Sequence, residues 1–114
     1  MSRELIEKIR KQRELKVTVG KFTFTARRPT DVEAIALGRS DSAFSDIAAK
    51  FVVGWEGVTE DDVVHGGNLT PLPFDAGLWV EWCNDHPAFW APISTAVLDS
   101  YRDHAAAMEG EGKN

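Results

Sequence analysis

Alternation of apolar and polar side chains near the start of the chain predicts a β-hairpin. Over residues 15–27, apolar side chains occupy every second position on both sides of the turn at Gly20. A period of two indicates a strand with one buried face, and glycine at the first turn position favours a type II′ hairpin. Because two strands alone are marginal in water, we expect helices to cover this face. Pairing across the turn places three apolar pairs on it: Leu15–Ala26, Val17–Phe24 and Val19–Phe22.

Helical spacing of apolar residues predicts a central helix capped by Ser40 or Asp41. The i, i+3, i+4, i+7 spacing continues for several turns and gives an inner face of Phe44, Ile47, Ala48, Phe51, Val52 and Trp55. A shorter helix is predicted after Thr30, where Glu33 completes a capping box and Gly38 is a typical C-terminal residue. Its predicted inner face consists of Val32, Ile35 and Ala36.

Between the central helix and the last one, the sequence predicts a loop and one further helix. Glycine, proline and acidic residues dominate residues 54–73, which indicates irregular structure with a short helix over Glu60–Val63. Asp75 is placed to cap a helix that ends near Asn84. The inner face of that helix is predicted to hold Leu78, Trp79, Trp82 and Cys83.

The last helix is predicted to begin after Asp85 and to end at the glycines Gly110 and Gly112. Pro87 suits a first helical turn, whereas Pro92 lies further along and predicts a break near Trp90. Its inner face then follows helical spacing through Ile93, Val97, Tyr101, His104 and Met108.

The N-terminal segment is predicted to be a separate helix over residues 2–14. Glu4–Lys8 is a favourable i, i+4 pair, but the apolar stripe of the helix is thin and comprises Leu5, Ile6 and Ile9. Since so thin a stripe anchors a helix weakly, we expect this helix to be mobile or bound to a partner.

Together these elements predict one α+β domain over residues 1–114, mostly helical, with one β-hairpin packed on a helical cluster. The N-terminal helix is assigned to residues 1–14, the globular body to residues 15–109 and a disordered tail to residues 110–114. The predicted core contains Phe22, Phe24, Phe44, Ile47, Phe51, Val52, Trp55, Ile93 and Val97.

Charge is distributed unevenly along the 114-residue chain, whose net charge is −5. Residues 1–29 carry nine basic and three acidic residues, and the remainder carries four basic and fifteen acidic ones. This asymmetry predicts contact between the basic head and the acidic body, within one chain or between neighbouring copies. We expect the contact in trans, which would give a homo-oligomer. The acidic balance argues against nucleic-acid binding. The start of the chain lacks a signal peptide's apolar stretch and no apolar run is long enough to cross a membrane, so we expect no membrane partner.

Candidate chemistry in the sequence is sparse, and no enzyme, metal or cofactor is expected. His65, His86 and His104 are far apart and form no ligand pair. Cys83 has an acidic neighbourhood, unlike a reactive thiol. Asp61-Asp62 lacks the spaced oxygen ligands of a calcium loop.

An aromatic group in the second half of the chain leaves two interpretations open. Its residues either pack in the core or line a groove for a partner's apolar helix, as aromatic anchors do. Because each buried indole N–H needs an acceptor, the hypothesis is that some reach the surface where the last two helices meet. The predicted groove is lined by Trp79, Trp82, Phe89 and Trp90 and rimmed by Glu81, Asp85 and Asp99.

Residues 17–114 contain, in order, RRPTDVEA after a Phe-rich strand, FVVGWEGV, PFDAGLW and the entry DHPAFW to the last helix. This series of segments resembles the tail assembly chaperones of long-tailed bacteriophages and prophages. The resemblance implies a non-catalytic protein of the host bacterial cytoplasm. It would bind the tape measure protein, keep it soluble and help to recruit tail tube protein.

In that family a longer form often arises by ribosomal frameshifting, and Lys113-Asn114 can be encoded by a slippery AAA AAC. Two other interpretations stay open: another small structural tail or virion-completion subunit, and a small regulator that binds a host protein.

Overall fold

The computed structural model describes residues 2–112 and confirms a small α+β fold in which helices pack on an antiparallel sheet. The sheet has three strands in the order β1-β2-β3. The elements in chain order are α1 (Ser2–Gln12), β1 (Glu14–Val19), β2 (Phe22–Arg27), α2 (Asp31–Gly38), α3 (Phe44–Phe51), β3 (Val52–Glu56), α4 (Glu60–Val63), α5 (Ala76–Asn84), a 3₁₀ turn (Pro87–Phe89) and α6 (Trp90–Gly112).

The hairpin has the predicted register. Leu15 pairs with Ala26, Val17 with Phe24 and Val19 with Phe22. Gly20 has a φ of +60°, and no other residue type takes a positive φ in the described chain. A two-residue turn with positive φ at its first position only is the type II′ geometry that the glycine predicts.

A third strand replaces the last turn of the predicted central helix. Helix α3 ends at Phe51, and Val52–Glu56 forms β3 against β2, with Phe24 opposite Trp55. Val52, Val53 and Gly54 are poor helix formers, and the two valines suit a strand. The apolar residues keep helical spacing up to Trp55, but the chain is helical only up to Phe51. From Val52 onwards, pairing with β2 outweighs that spacing.

The entry to α3 also differs from the prediction. The N-cap is Ala43 and not Ser40 or Asp41, and the Asp46 carboxylate accepts the Ala43 N–H at 3.3 Å. Phe44 is thus the first helical residue. Because helical side chains tilt towards the N-terminus, it overhangs the end of α3 and is 46% exposed, which corrects its assignment to the core.

Helix α2 has the predicted capping box, but a different side of the helix faces the rest of the fold. Glu33 accepts the Thr30 N–H while its own N–H bonds the Thr30 hydroxyl. Glu33 also faces Arg27 on β2, which turns this side of α2 towards the sheet. Val32 and Ile35, at offsets of −1 and +2 from Glu33, therefore lie on other sides of the helix. The predicted inner residues Val32, Ile35 and Ala36 are all exposed.

The C-terminal elements need two smaller corrections. Asp85 is the C-cap of α5 and not the cap of the last helix; His86 precedes the 3₁₀ turn, and α6 starts at Trp90, where the break was predicted. Helix α6 ends at Gly112, the second of the two predicted glycines, so residues 110–112 are helical and not part of a disordered tail. Residues 113 and 114 lie outside the described part. Of the described helices, none combines the length and the apolar character needed to cross a membrane.

The core lies between the sheet and helices α3, α5 and α6. Phe24, Phe51, Ile93 and Val97 are fully buried, as predicted, and Ile47 and Val52 are nearly so. Phe22 and Trp55 are partly buried at the edge of the same cluster. Trp55 also donates its indole N–H to the Leu72 carbonyl at 2.7 Å, which ties β3 to the long loop.

Candidate partner-binding groove

The aromatic group that was predicted to line a groove forms the centre of the core. Trp79, Trp82 and Phe89 are 0%, 4% and 5% exposed, so no open groove exists between them. Trp79 and Phe24 have ring centres 4.9 Å apart, and Trp82 and Phe89 are equally close. Edge-to-face and tilted packing of this kind stabilises aromatic clusters. Trp90 is partly buried against the same cluster.

Two of these indoles obtain their hydrogen bonds from backbone carbonyls inside the fold. Trp79 donates to Ala48 at 3.1 Å and Trp90 donates to Cys83 at 2.7 Å. These bonds remove the reason for expecting both side chains at the surface. The indole N–H of Trp82 is buried without an acceptor among the described residues.

The predicted acidic rim does not assemble either. Glu81 and Asp85 are exposed at α5. Asp99 is on α6, where it forms an ion pair with Arg102 at 2.9 Å. Asp99 follows Leu98, and Leu98 lines a different concave surface, described next.

An apolar groove of about 350 Å³ lies between α2, α3 and α6. We call it the α2–α3–α6 groove. Its lining carries no formal charge: Ala34, Leu37, Gly38, Ser42, Phe44, Ile47, Leu98 and Tyr101. Phe44 is the large exposed side chain in the lining. Ile35, which follows the lining residue Ala34 in sequence, is 57% exposed. Grooves lined in this way are typical receptors for one face of an amphipathic helix.

Two polar contacts hold the walls of this groove. Ser94 of α6 is fully buried and donates its hydroxyl to the Phe44 carbonyl at 2.7 Å, so the first turn of α3 is fixed to α6. Tyr101 donates its hydroxyl to Asp31 at 2.9 Å and thereby joins α6 to the start of α2. This bond raises the pKa of Tyr101, because the carboxylate stabilises the protonated phenol.

A bidentate ion pair attaches α2 to strand β2. The guanidinium of Arg27 bonds both carboxylate oxygens of Glu33, at 2.7 and 2.9 Å, and also lies over the Phe51 ring. The hydrogen bond from Arg27 lowers the pKa of Glu33 to about 2. Since α2 has no fully buried residue, these polar contacts position it, and its apolar side chains are left to form the groove and the adjacent surface.

Carboxylates outnumber basic groups among the residues that adjoin the groove lining in sequence or by contact. Asp31 bonds the lining residue Tyr101, while Asp41 and Asp46 adjoin the lining residues Ser42 and Ile47 in sequence. On the basic side, Arg39 follows Gly38 in sequence, Arg102 is paired with Asp99, and the charge of Arg28 acts on Tyr101. His104 also lies 3.5 Å from Asp31. The edge therefore favours a partner whose apolar face is flanked by basic residues.

A second concave surface is polar. It encloses about 420 Å³ between the end of α1 and the start of α2, and its lining includes Arg10, Arg13, Glu14, Arg27 and Glu33. Arg27 is already bonded to Glu33. With Glu14 and Glu33 among its walls, this pocket disfavours a polyanion, and Val53 is the apolar residue in its lining.

The single cysteine and two of the histidines, His86 and His104, have the following environments in the described chain. Burial raises the pKa of the Cys83 thiol to about 11, so the thiol stays protonated at neutral pH. His104 lies 3.5 Å from Asp31 on the surface, while His86 bonds the Trp82 carbonyl with its Nδ1. Within residues 2–112 no group of three or more His, Cys, Asp or Glu side chains is arranged to hold a metal ion.

Comparisons with known proteins identify no relative. No family model, no curated protein and no solved structure matches the chain. The proposed function therefore rests on the groove and on the charged residues that adjoin it.

The groove was not foreseen from the sequence because it depends on the rotation of α2 and on the early end of α3. One signal was present: Ser94 interrupts the apolar face between Ile93 and Val97. A serine there indicates a specific buried acceptor, which the structure shows to be Phe44.

Proposed function

We propose that this protein is a non-catalytic tail assembly chaperone of a bacteriophage or prophage, and that it binds an amphipathic helix of the tape measure protein in the α2–α3–α6 groove. The observation that carries the proposal is the uncharged groove with Phe44 exposed at its mouth. A chaperone for long apolar helices needs such a surface, and a soluble protein keeps it small. The proposal places its action in the bacterial cytoplasm, before tail tube protein assembles around the client.

The chemistry of the groove defines the segment that it would accept. Apolar anchors at i, i+3 or i+4, and i+7 would contact Phe44, Leu37 and Leu98. Basic residues beside those anchors would face Asp31 and Asp41, which increases the association rate more than the affinity. The sequence segments shared with the chaperones, given above, support the same class of client.

A charged residue at the mouth of the groove should abolish chaperone function while leaving the fold intact. Phe44→Glu places a carboxylate against an apolar anchor of the client helix. We expect the complex with the client to be at least tenfold weaker, which corresponds to a loss of about 1.4 kcal/mol of binding free energy. Co-expression with a tape measure segment, followed by separation of soluble and insoluble protein, measures the effect. The matched control is Val80→Glu, because Val80 is 39% exposed on α5 and lies outside the groove.

The proposal predicts that wild type and Val80→Glu keep the segment soluble and that Phe44→Glu does not. Circular dichroism should show folded protein in all three cases. Equal solubility of the client with both variants would contradict binding in this groove.

A further inference from the structure

Helix α1 is an amphipathic helix whose apolar face has no partner in the described chain. All of its residues are exposed, and Leu5, Ile6 and Ile9 are 60%, 46% and 50% exposed. An isolated helix of 11 residues is marginal in water. It gains stability when such a stripe is buried, so a receptor for this face is expected.

The charges of α1 are arranged around that stripe. At about 100° per residue, Leu5, Ile6 and Ile9 fall within an arc of about 100°. Arg3 and Arg10 flank the arc on one side and Lys8 on the other, whereas Glu4 and Glu7 lie on the back of the helix. The apolar face of α1 is therefore bordered by basic groups, as the acidic edge of the α2–α3–α6 groove requires.

The groove of the same copy is not within reach of α1. A single residue, Arg13, separates α1 from β1. Its carbonyl accepts the Arg28 N–H at 2.8 Å, and its N–H bonds the Arg10 carbonyl at 3.1 Å. This short, hydrogen-bonded link fixes α1 relative to the sheet, and no α1 residue lines the groove.

We infer that α1 of a second copy docks in the α2–α3–α6 groove. The contact is heterologous, since the helix of one copy meets the groove of the next, and it generates a ring or an open chain of copies. Its apolar part consists of the three exposed α1 side chains against Phe44, Leu37 and Leu98. Its polar part sets the basic groups of α1 against Asp31, Asp41 and Asp46.

Docking of α1 also implies regulation of the groove, and this step alone rests on the proposed function. A client helix and α1 carry the same pattern of apolar anchors and basic flanks, so they compete for one site. Self-association shields the groove until a client displaces α1, and the protein then exposes little apolar surface in either state.

Sedimentation velocity of the full chain tests the contact. We expect wild type to self-associate, more strongly at low than at high salt because the charges at the edge are exposed. Ile9→Glu and Phe44→Glu should each raise the dissociation constant of self-association at least tenfold. Leu69→Glu is the control, since Leu69 is 79% exposed in the long loop. A monomeric wild type, or equal self-association of all variants, would overturn the inference.

Cysteine cross-linking then locates the contact. Two differently tagged copies, one with Ile9→Cys and one with Leu37→Cys, should form a disulfide between chains under mild oxidation, while Cys83 stays protected by burial. Ile9→Cys with Val80→Cys should not. Cross-linking to position 80 in preference to position 37 would overturn the assignment of the groove.

A soluble tape measure segment separates the inference from the proposed function. If the added segment suppresses the cross-link between positions 9 and 37, both the self-docking of α1 and the proposed function are supported. If the cross-link forms and the segment neither binds nor suppresses it, self-docking stands and the proposed function fails. If the segment binds without any change in the cross-link, competition for one groove is wrong.

Discussion

Replacing Trp79 by alanine should lower the free energy of unfolding by about 3–5 kcal/mol, the largest effect that we expect from one substitution. Trp79 is fully buried between Phe24, Trp82 and Phe89. The substitution leaves a large cavity and also deprives the Ala48 carbonyl of its hydrogen bond.

Urea denaturation at neutral pH measures this loss, and Trp79→Phe separates its two parts. Phenylalanine retains much of the packing but not the indole N–H, so we expect an intermediate loss. Val80→Ala, one residue along α5 on the exposed side, serves as the control and should change stability by less than about 1 kcal/mol. A small loss for Trp79→Ala, with client binding lost, would restore the alternative of a tryptophan-lined groove.

Replacing Glu33 by glutamine should cost about 2 kcal/mol at neutral pH. The carboxylate accepts one hydrogen bond from each terminal nitrogen of Arg27 and one from the backbone N–H of Thr30, and its pKa is lowered to about 2. A lowered pKa in the folded state means that the ionised form stabilises the fold. Glutamine has one acceptor oxygen and no charge, so it leaves part of the Arg27 fork unbonded.

The dependence on pH gives this second prediction a specific test. The stabilisation is complete above the pKa of Glu33 in the unfolded chain, near 4.5, and is lost as the pH falls towards about 2. The stability difference between wild type and Glu33→Gln should therefore shrink by about half or more between pH 7 and pH 3. Glu81→Gln, at an exposed site on α5, is the control. A difference that does not change with pH would show that the ion pair contributes nothing.

Local signals in this sequence predict local structure well. The hairpin register follows from period-two alternation and one glycine, and the capping box follows from the spacing of Thr30 and Glu33. Both depend on interactions within a few residues. The α3–β3 boundary was missed because the spacing from Phe44 to Trp55 suits a helix, whereas pairing with β2 is a long-range interaction that no local pattern records.

The site was harder to predict for the same reason. Trp79, Trp82 and Phe89 are the residues that a partner surface favours, but they are equally the residues that fill a small core, and the acceptors at Ala48 and Cys83 are visible only in the fold. The groove depends on how α2 is rotated by Arg27 and on the place where α3 starts. Asp99, which was predicted at the rim, does not line the groove, but the preceding residue Leu98 does.

Site-specific photo-cross-linking to a client tests the central claim most directly. A benzophenone amino acid replaces Phe44 in one sample and Val80 in another, each co-expressed with a tape measure segment. The account predicts a cross-link from position 44, located by mass spectrometry to a client helix with apolar residues at i, i+3 or i+4, and i+7. A cross-link from position 80, with none from position 44, would contradict it.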